Sequence, residues 1–207
     1  MRNIKKNLVL LREINIADWI SLSALFPITF GYYFILNNQP YQSIIVISIA
    51  FLLDVLDGFV ARRLKIASDF GKQLDTLIDT LNYLSFTAFF ILLYLNFNNL
   101  LIITTVLIML SAGILRLARY NIIGLIEDNQ KQYYIGMPVP FVQLIIIILF
   151  LSTKFVSEKI IYLTPLAIVM ASFFMISTIK FKKSTNYLFW LILIVLIVCL
   201  ILMNPQK

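Results

Sequence analysis

Apolar runs long enough to cross a lipid bilayer dominate this 207-residue chain. A spanning helix needs roughly 17 to 25 predominantly apolar residues. Seven stretches meet that requirement, near 18–36, 41–62, 74–95, 98–119, 136–153, 158–179 and 186–203. Hydrophobic residues make up 61% of the chain and charged residues 13%, which excludes a water-soluble domain of this size. The sequence therefore predicts an all-α, polytopic helix bundle with about seven transmembrane helices.

The positions of the basic residues predict the orientation of these spans, because cytoplasmic loops carry an excess of Lys and Arg. Fourteen of the 17 basic residues precede the first span or lie in every second connection after it: Arg2, Lys5, Lys6, Arg12, Arg62, Arg63, Lys65, Lys72, Arg116, Arg119, Lys131, Lys180, Lys182 and Lys183. We therefore expect a multi-pass protein of the cell membrane with a cytoplasmic N-terminus. Their dispersal, without a recognition motif, gives no sign of nucleic-acid binding.

The N-terminal segment differs from the spans. Ile4, Leu8 and Leu11 fall on one side of a helical wheel, whereas Lys5 and Arg12 fall on the other. This pattern predicts an amphipathic helix in the membrane interface over residues 1–16. We expect residues 17–207 to form a single transmembrane domain.

Residue counts narrow the chemistry that the chain can support. The sequence contains no histidine and a single cysteine, Cys199. It therefore excludes a histidine general base, a histidine-ligated zinc site, disulfides and thiolate metal clusters. Carboxylates, together with Lys, Arg, Tyr and Ser, must carry any chemistry.

Half of the ten acidic residues lie within 26 positions, and most of these fall in or beside spans two and three. They are Asp54, Asp57, Asp69, Asp75 and Asp79. An ionised carboxylate at mid-membrane costs roughly 2.5 to 3.5 kcal/mol on the insertion scale, so such residues normally face a polar cavity or bind a cation. The clustering indicates a functional site.

The spacing places these residues in two stripes. The first follows i, i+3, i+4, i+7 and i+8 along one helix face and comprises Asp54, Asp57, Gly58, Ala61 and Arg62. The second follows i, i+4 and i+8 and comprises Gly71, Asp75 and Asp79. We expect the two helices to be antiparallel neighbours across an 11-residue basic loop, so that the stripes face each other.

Carboxylates that are brought together repel one another unless cations neutralise them, and oxygen-only ligand sets suit Mg²⁺ or Mn²⁺. Two such ions can hold a diphosphate and favour departure of the leaving oxygen in phosphoryl transfer. Without histidine, a fourth carboxylate is the natural proton acceptor. Intramembrane acids also serve ion- or proton-coupled transporters, and this class remains an alternative, as does a non-catalytic scaffold.

Residues 54–79, DVLDGFVARRLKIASDFGKQLDTLID, match the pattern D-x2-D-G-x2-A-R-x8-G-x3-D-x3-D at all eight fixed positions. In this segment the chain resembles the CDP-alcohol phosphatidyltransferases. The resemblance implies a six-helix family core, here with an extra C-terminal span, and a homodimer. It also implies transfer of a phosphatidyl group from CDP-diacylglycerol, or from its archaeal counterpart CDP-archaeol, to an alcohol with release of CMP.

The same resemblance implies roles for the matching residues. The ligands of two divalent cations, Mg²⁺ or Mn²⁺, would be Asp54, Asp57, Asp75 and Asp79. Asp79 would also be the catalytic base that takes the proton of the acceptor hydroxyl. The CDP-lipid would be bound by Asp57, Gly58, Ala61, Arg62, Ser68 and Gly71.

The acceptor alcohol is indicated by the second half of the chain. Arg116 and Arg119 lie at i and i+3, and we expect them to form an anion site for a carboxylate or a phosphate. Two arginines alone leave serine, glycerol 3-phosphate and inositol phosphate open as acceptors, and such a pair can also be a positive-inside anchor. SAGILRLARYN at 111–121 and YYIGMPVP at 133–140 resemble segments of the type II phosphatidylserine synthases. This resemblance implies L-serine.

Overall fold

The apolar runs form helices. An α-helix satisfies its backbone hydrogen bonds within one segment, as a chain surrounded by lipid requires. The computed structural model describes residues 14–94, 100–128 and 131–182. In this part of the chain, five helices are long and apolar enough to cross a membrane and a sixth is shorter. In chain order they are α1 (Ile16–Leu36), α2 (Pro40–Leu64), α3 (Asp69–Tyr94), α4 (Leu100–Ile123), the shorter α5 (Pro140–Phe155) and α6 (Glu158–Ile176).

Three of these helices contain an irregular turn or break. Helix α1 consists of Ile16–Ser23 and Leu25–Leu36, with a break at Ala24. Helix α3 consists of Asp69–Asp79, a π-helical turn at Thr80–Ser85, and Phe86–Tyr94. Helix α6 begins with a 3₁₀ turn, Glu158–Leu163, and continues as Thr164–Ile176. The prediction of a predominantly helical, multi-pass membrane protein is confirmed.

The connection between α2 and α3 is much shorter than predicted. It comprises residues 65–68, so the expected 11-residue loop is wrong. The hydroxyl of Ser68 accepts a hydrogen bond from the Gly71 amide at 2.9 Å, and this N-cap starts α3 five residues before the predicted span at 74. The short connection makes α2 and α3 adjacent, as the two stripes require. Residues 1–13 of the predicted interfacial helix and the predicted span 186–203 lie outside the described residues.

A small antiparallel sheet was not predicted. Its strands are β1 (Ile126–Asp128), β2 (Lys131–Ile135) and β3 (Lys180–Lys182), in the order β1-β2-β3. Tyr133 pairs with both Ile126 and Lys182, which places β2 in the centre. Strands of three to five residues carry too little alternation to be recognised, and β3 comes from a distant part of the sequence.

Gly136 follows β2 directly and lies against the end of α6. Its φ of +76° is readily adopted only by glycine, and its amide donates to the carbonyl of Ile179 at 2.9 Å. A Cβ at this position would collide with the carbonyl oxygen of Met175. The next amide, of Met137, donates to the carbonyl of Phe174 at 2.9 Å. Close backbone contact therefore attaches the sheet to α6.

Replacing Gly136 by alanine should lower thermal stability more than the same change at Gly124. Both glycines have positive φ, at +76° and +71°, so both variants carry a strain of about 1 kcal/mol. A Cβ at Gly124 meets nothing within 4 Å, whereas one at Gly136 meets the α6 backbone. Thermal unfolding of Gly136→Ala and Gly124→Ala in the same detergent measures the difference. Equal losses would show that the contact with α6 contributes nothing.

Candidate active site

Three of the predicted carboxylates meet between α2 and α3. Asp54, Asp57 and Asp75 each place one carboxylate oxygen so that all three oxygens lie within 4.8 Å of one another. Asp54 and Asp57 lie one turn apart on α2, and the short connection brings Asp75 of α3 against them. The facing stripes predicted from the sequence are present.

Asp79 lies beside this group of three. Its carboxyl group contacts that of Asp54 and interacts electrostatically with the guanidinium of Arg116. Because it borders both the carboxylates and a cation from α4, Asp79 occupies the edge of the cluster that faces α4.

Two hydroxyl groups orient carboxylates of the cluster, and neither was predicted. The Tyr83 hydroxyl donates to Asp54 Oδ2 at 2.7 Å, and the hydroxyl of Ser21, on α1, donates to Asp57 Oδ2. Tyr83 follows Asp79 by four residues, a helical spacing that could have drawn attention to it. Ser21 has no comparable sequence signal, because the packing of α1 against α2 brings it to Asp57.

A cavity of about 530 Å³ opens beside the cluster. Most of the residues predicted to bind the CDP-lipid line it, namely Asp57, Gly58, Ala61, Ser68 and Gly71. Arg62 is not among the lining residues. Its guanidinium lies over Gly58, where a Cβ would come within 3.1 Å of Nη1. The absence of a side chain at Gly58 therefore makes room for Arg62.

The start of α1 forms one wall of this cavity. The Asn15 side chain caps α1 by accepting from the Asp18 amide at 3.1 Å, and its Nδ2 donates to the Ile66 carbonyl at 3.0 Å. These bonds attach α1 to the connection between α2 and α3. The Asp18 carboxyl group lies against Gly71, where a Cβ would collide with Asp18 Oδ1. Gly71 is therefore a close-approach position, and Asn15 and Asp18 are lining residues that the sequence did not reveal.

Arg116 is a buried cation with aromatic neighbours. Its side chain is 5% exposed, and its guanidinium carbon lies 5.3 Å from the ring centre of Tyr120 and 5.5 Å from that of Tyr134. Burial, together with the neighbouring Tyr120, raises the pKa of Tyr134 to about 12, so this phenol is neutral at physiological pH. Arg116 Nε has no hydrogen-bond acceptor among the described residues. A buried donor without an acceptor is costly, and an anionic ligand would satisfy it.

Arg119 is engaged differently from Arg116. Its guanidinium donates to the carbonyls of Met175 at 3.1 Å, Ile176 at 2.8 Å and Ser177 at 3.2 Å. These carbonyls lie at the C-terminal end of α6, where no further helical turn supplies backbone N–H donors. A cation therefore stabilises them. Arg119 is thus bonded to the end of α6, whereas Arg116 faces Asp79.

The residues of the cluster fit a divalent cation. Their donor atoms are carboxylate oxygens, which hard ions such as Mg²⁺ and Mn²⁺ prefer, and three of them converge from two helices. Such a cation would also relieve the repulsion between the carboxylates. The fold and this site define an integral membrane protein with an intramembrane carboxylate centre beside a cavity.

Comparison with known proteins identifies the family. The model of the CDP-alcohol phosphatidyltransferase family matches residues 14–171. The CDP-diacylglycerol–serine O-phosphatidyltransferase of Methanocaldococcus jannaschii is 32% identical over 176 residues, covering 85% of this chain and 78% of the relative. The enzyme of the same name from Bacillus subtilis is 32% identical over 151 residues, with coverages of 71% and 78%.

A relative with another acceptor in its name matches a smaller part of the chain. The CDP-diacylglycerol–glycerol-3-phosphate 3-phosphatidyltransferase of Aquifex aeolicus is 36% identical over 84 residues, covering 41% of this chain and 45% of the relative. The chain belongs to the CDP-alcohol phosphatidyltransferase family, a family of membrane transferases of phospholipid synthesis. The resemblance found in residues 54–79 is confirmed.

Proposed function

We propose that the chain transfers the phosphatidyl group of CDP-diacylglycerol, or of CDP-archaeol, to the hydroxyl group of L-serine and releases CMP. The observation that carries the choice of acceptor is the Arg116 guanidinium, which is buried next to Asp79 and has a donor without an acceptor among the described residues. The names of the relatives from Methanocaldococcus jannaschii and Bacillus subtilis support the same acceptor.

The engagement of Arg119 favours a carboxylate over a phosphate as the anionic group of the acceptor. Three backbone carbonyls occupy its guanidinium, which leaves Arg116 as the cation beside Asp79. One guanidinium matches a singly charged carboxylate in fork geometry. A phosphate group carries more negative charge and would be better matched by the two arginines together. Glycerol 3-phosphate and inositol phosphate are therefore the less favoured acceptors.

The proposal includes two divalent cations, Mg²⁺ or Mn²⁺, held by Asp54, Asp57 and Asp75 with participation of Asp79. When bound, they supply positive charge that stabilises the diphosphate and the leaving phosphate oxygen. Gly58, Ala61 and Gly71 line the cavity that would take the nucleotide.

The reaction then follows from groups of the chain. Arg116 holds the carboxylate of serine and so places its hydroxyl group near Asp79. Asp79 takes the hydroxyl proton while the serine oxygen forms a bond to the lipid-side phosphorus. The bond between that phosphorus and the bridging oxygen breaks, and CMP leaves with the electron pair. Arg62 offsets negative charge on the diphosphate, and Ser68 contacts the nucleotide-lipid.

Replacing Asp79 by asparagine should reduce turnover by about 10²- to 10⁴-fold, the usual contribution of a general base. The measurement is CMP release from CDP-diacylglycerol with Mn²⁺, comparing serine, glycerol 3-phosphate and inositol phosphate as acceptors. Glu158→Gln makes the same chemical change at an exposed position and should retain full activity. Nearly unchanged activity in Asp79→Asn would remove this residue from the mechanism. No release by folded wild-type protein with any acceptor would favour the transporter or scaffold hypotheses.

Replacing Arg116 by alanine should abolish the preference for serine over ethanolamine, which lacks the carboxylate. The kcat/KM for serine should fall about 10- to 100-fold, because a hydrogen bond to a charged group contributes about 1.5 to 3 kcal/mol. The kcat/KM for ethanolamine should change little. Arg63→Ala removes an exposed guanidinium from the end of α2 and serves as the control. An unchanged ratio of the two acceptors in Arg116→Ala would contradict the carboxylate assignment.

We propose a cytoplasmic location for the N-terminus and the active site, from the distribution of basic residues. The family resemblance adds a homodimer to the proposal. In a Cys199→Ala background, Asn37→Cys between α1 and α2 should react with a membrane-impermeant maleimide in intact cells. Arg63→Cys, at the other end of α2, should react only after the cells are permeabilised. The reverse pattern would invert the proposed orientation.

A further inference from the structure

A six-residue π-helical turn, Thr80–Ser85, follows Asp79 within α3. The π-helix is rare, occurs mostly as single turns within α-helices, and is frequent at functional sites. The segment TLNYLS contains neither proline nor glycine, the usual local causes of helix distortion. Contacts with neighbouring helices stabilise the distortion.

Side chains from two other helices bond to carbonyls of the π-turn. The Tyr32 hydroxyl, from α1, donates to the Leu81 carbonyl at 3.2 Å. Gln143 Nε2, from α5, donates to the Asn82 carbonyl at 2.7 Å, and both Asn82 and Gln143 are buried. A π-turn shifts carbonyls out of the α-helical ladder. The Leu81 carbonyl accepts from the Phe86 amide, five residues further on, and also from the Tyr32 hydroxyl.

Packing fixes the turn against two further helices. Leu84 is fully buried against Gly113 of α4, where a Cβ would collide with the Leu84 methyl groups. Tyr83 is also fully buried, and its ring centre lies 6.2 Å from that of Phe51 on α2. The π-turn is thus held by α1, α2, α4 and α5.

The position of this turn bears on the carboxylate cluster. An α-helix has about 3.6 residues per turn, so a residue four positions further along lies slightly past one full turn. Asp79 is therefore rotated around the α3 axis relative to Asp75. The wider π-helix has more than four residues per turn, so a residue four positions further along does not complete a full turn. Tyr83 is therefore rotated in the opposite direction relative to Asp79. Tyr83 returns to the face of Asp75, where its hydroxyl reaches Asp54 Oδ2 at 2.7 Å.

We propose that the π-turn is a positioning element for the metal centre and that Tyr83 is its positioning residue. The Tyr83 hydroxyl occupies one oxygen of Asp54 and fixes the rotation of the carboxylate, which leaves the other oxygen to a cation. Hydrogen-bond donors to metal-ligating carboxylates commonly tune metal affinity in this way. The inference rests on the proposed binding of divalent cations by this cluster.

Replacing Tyr83 by phenylalanine should weaken Mn²⁺ binding about 10- to 100-fold, the usual effect of removing such an outer partner. The probe is Mn²⁺ alone, titrated into the purified full chain and followed by electron paramagnetic resonance of the free ion. The ring of phenylalanine keeps the buried packing, so the variant should fold, which its thermal unfolding checks. Gln143→Leu, which touches none of the aspartates, should weaken Mn²⁺ binding in the same direction because it releases the π-turn.

Tyr94→Phe is the matched control. It removes a tyrosine hydroxyl from the same helix, but that hydroxyl bonds to the Ile35 carbonyl at 2.5 Å rather than to an aspartate. Its Mn²⁺ affinity should stay within about twofold of that of the wild type. Wild-type affinity in Tyr83→Phe would overturn the positioning role, and wild-type affinity in Gln143→Leu would overturn the role of the π-turn. Failure of the wild type itself to bind Mn²⁺ would instead overturn the proposed metal centre.

Discussion

Mutual repulsion of carboxylates in a membrane helix pair is the constraint on which this structure depends. Asp54, Asp57 and Asp75 converge between α2 and α3, with Asp79 at their edge. The Tyr83 hydroxyl donates to Asp54, which also bonds to the carboxyl groups of Asp75 and Asp79, and the Ser21 hydroxyl donates to Asp57. A hydroxyl donor orients a carboxylate without cancelling its charge. A divalent cation would relieve the repulsion that these hydroxyl donors leave in place.

The surroundings of the cluster divide into two regions with different construction. On the cavity side, Asn15 ties the start of α1 to the connection between α2 and α3. On the α4 side, Arg119 bonds to the end of α6, and Gly136 packs against it. These contacts hold α4, α6 and β2 together. The contacts between α4, α6 and β2 place the Tyr134 ring over the Arg116 guanidinium. The cavity and the Arg116 guanidinium thus both lie beside these carboxylates.

Within the described residues, hydropathy and spacing predicted the six apolar helices correctly, because both depend on local geometry. The length of the apolar runs predicted the spans, and the i, i+3 and i+4 spacings placed the aspartates on facing stripes. The length of the connection between α2 and α3 was wrong, since the Ser68 cap starts α3 earlier than hydropathy indicates. The sheet was missed because β3 meets β2 only through the fold.

The amino-acid sequence by itself determined the membrane class, the carboxylate stripes and the family signature, since each is a pattern along one or two adjacent helices. Tertiary structure alone decided which groups meet the carboxylates. It distinguished Arg116 from Arg119, which look equivalent at i and i+3, because Arg119 bonds to the end of α6. It also brought Tyr83 to Asp54 through the π-turn, a distortion maintained by donors from α1 and α5 that no local pattern encodes.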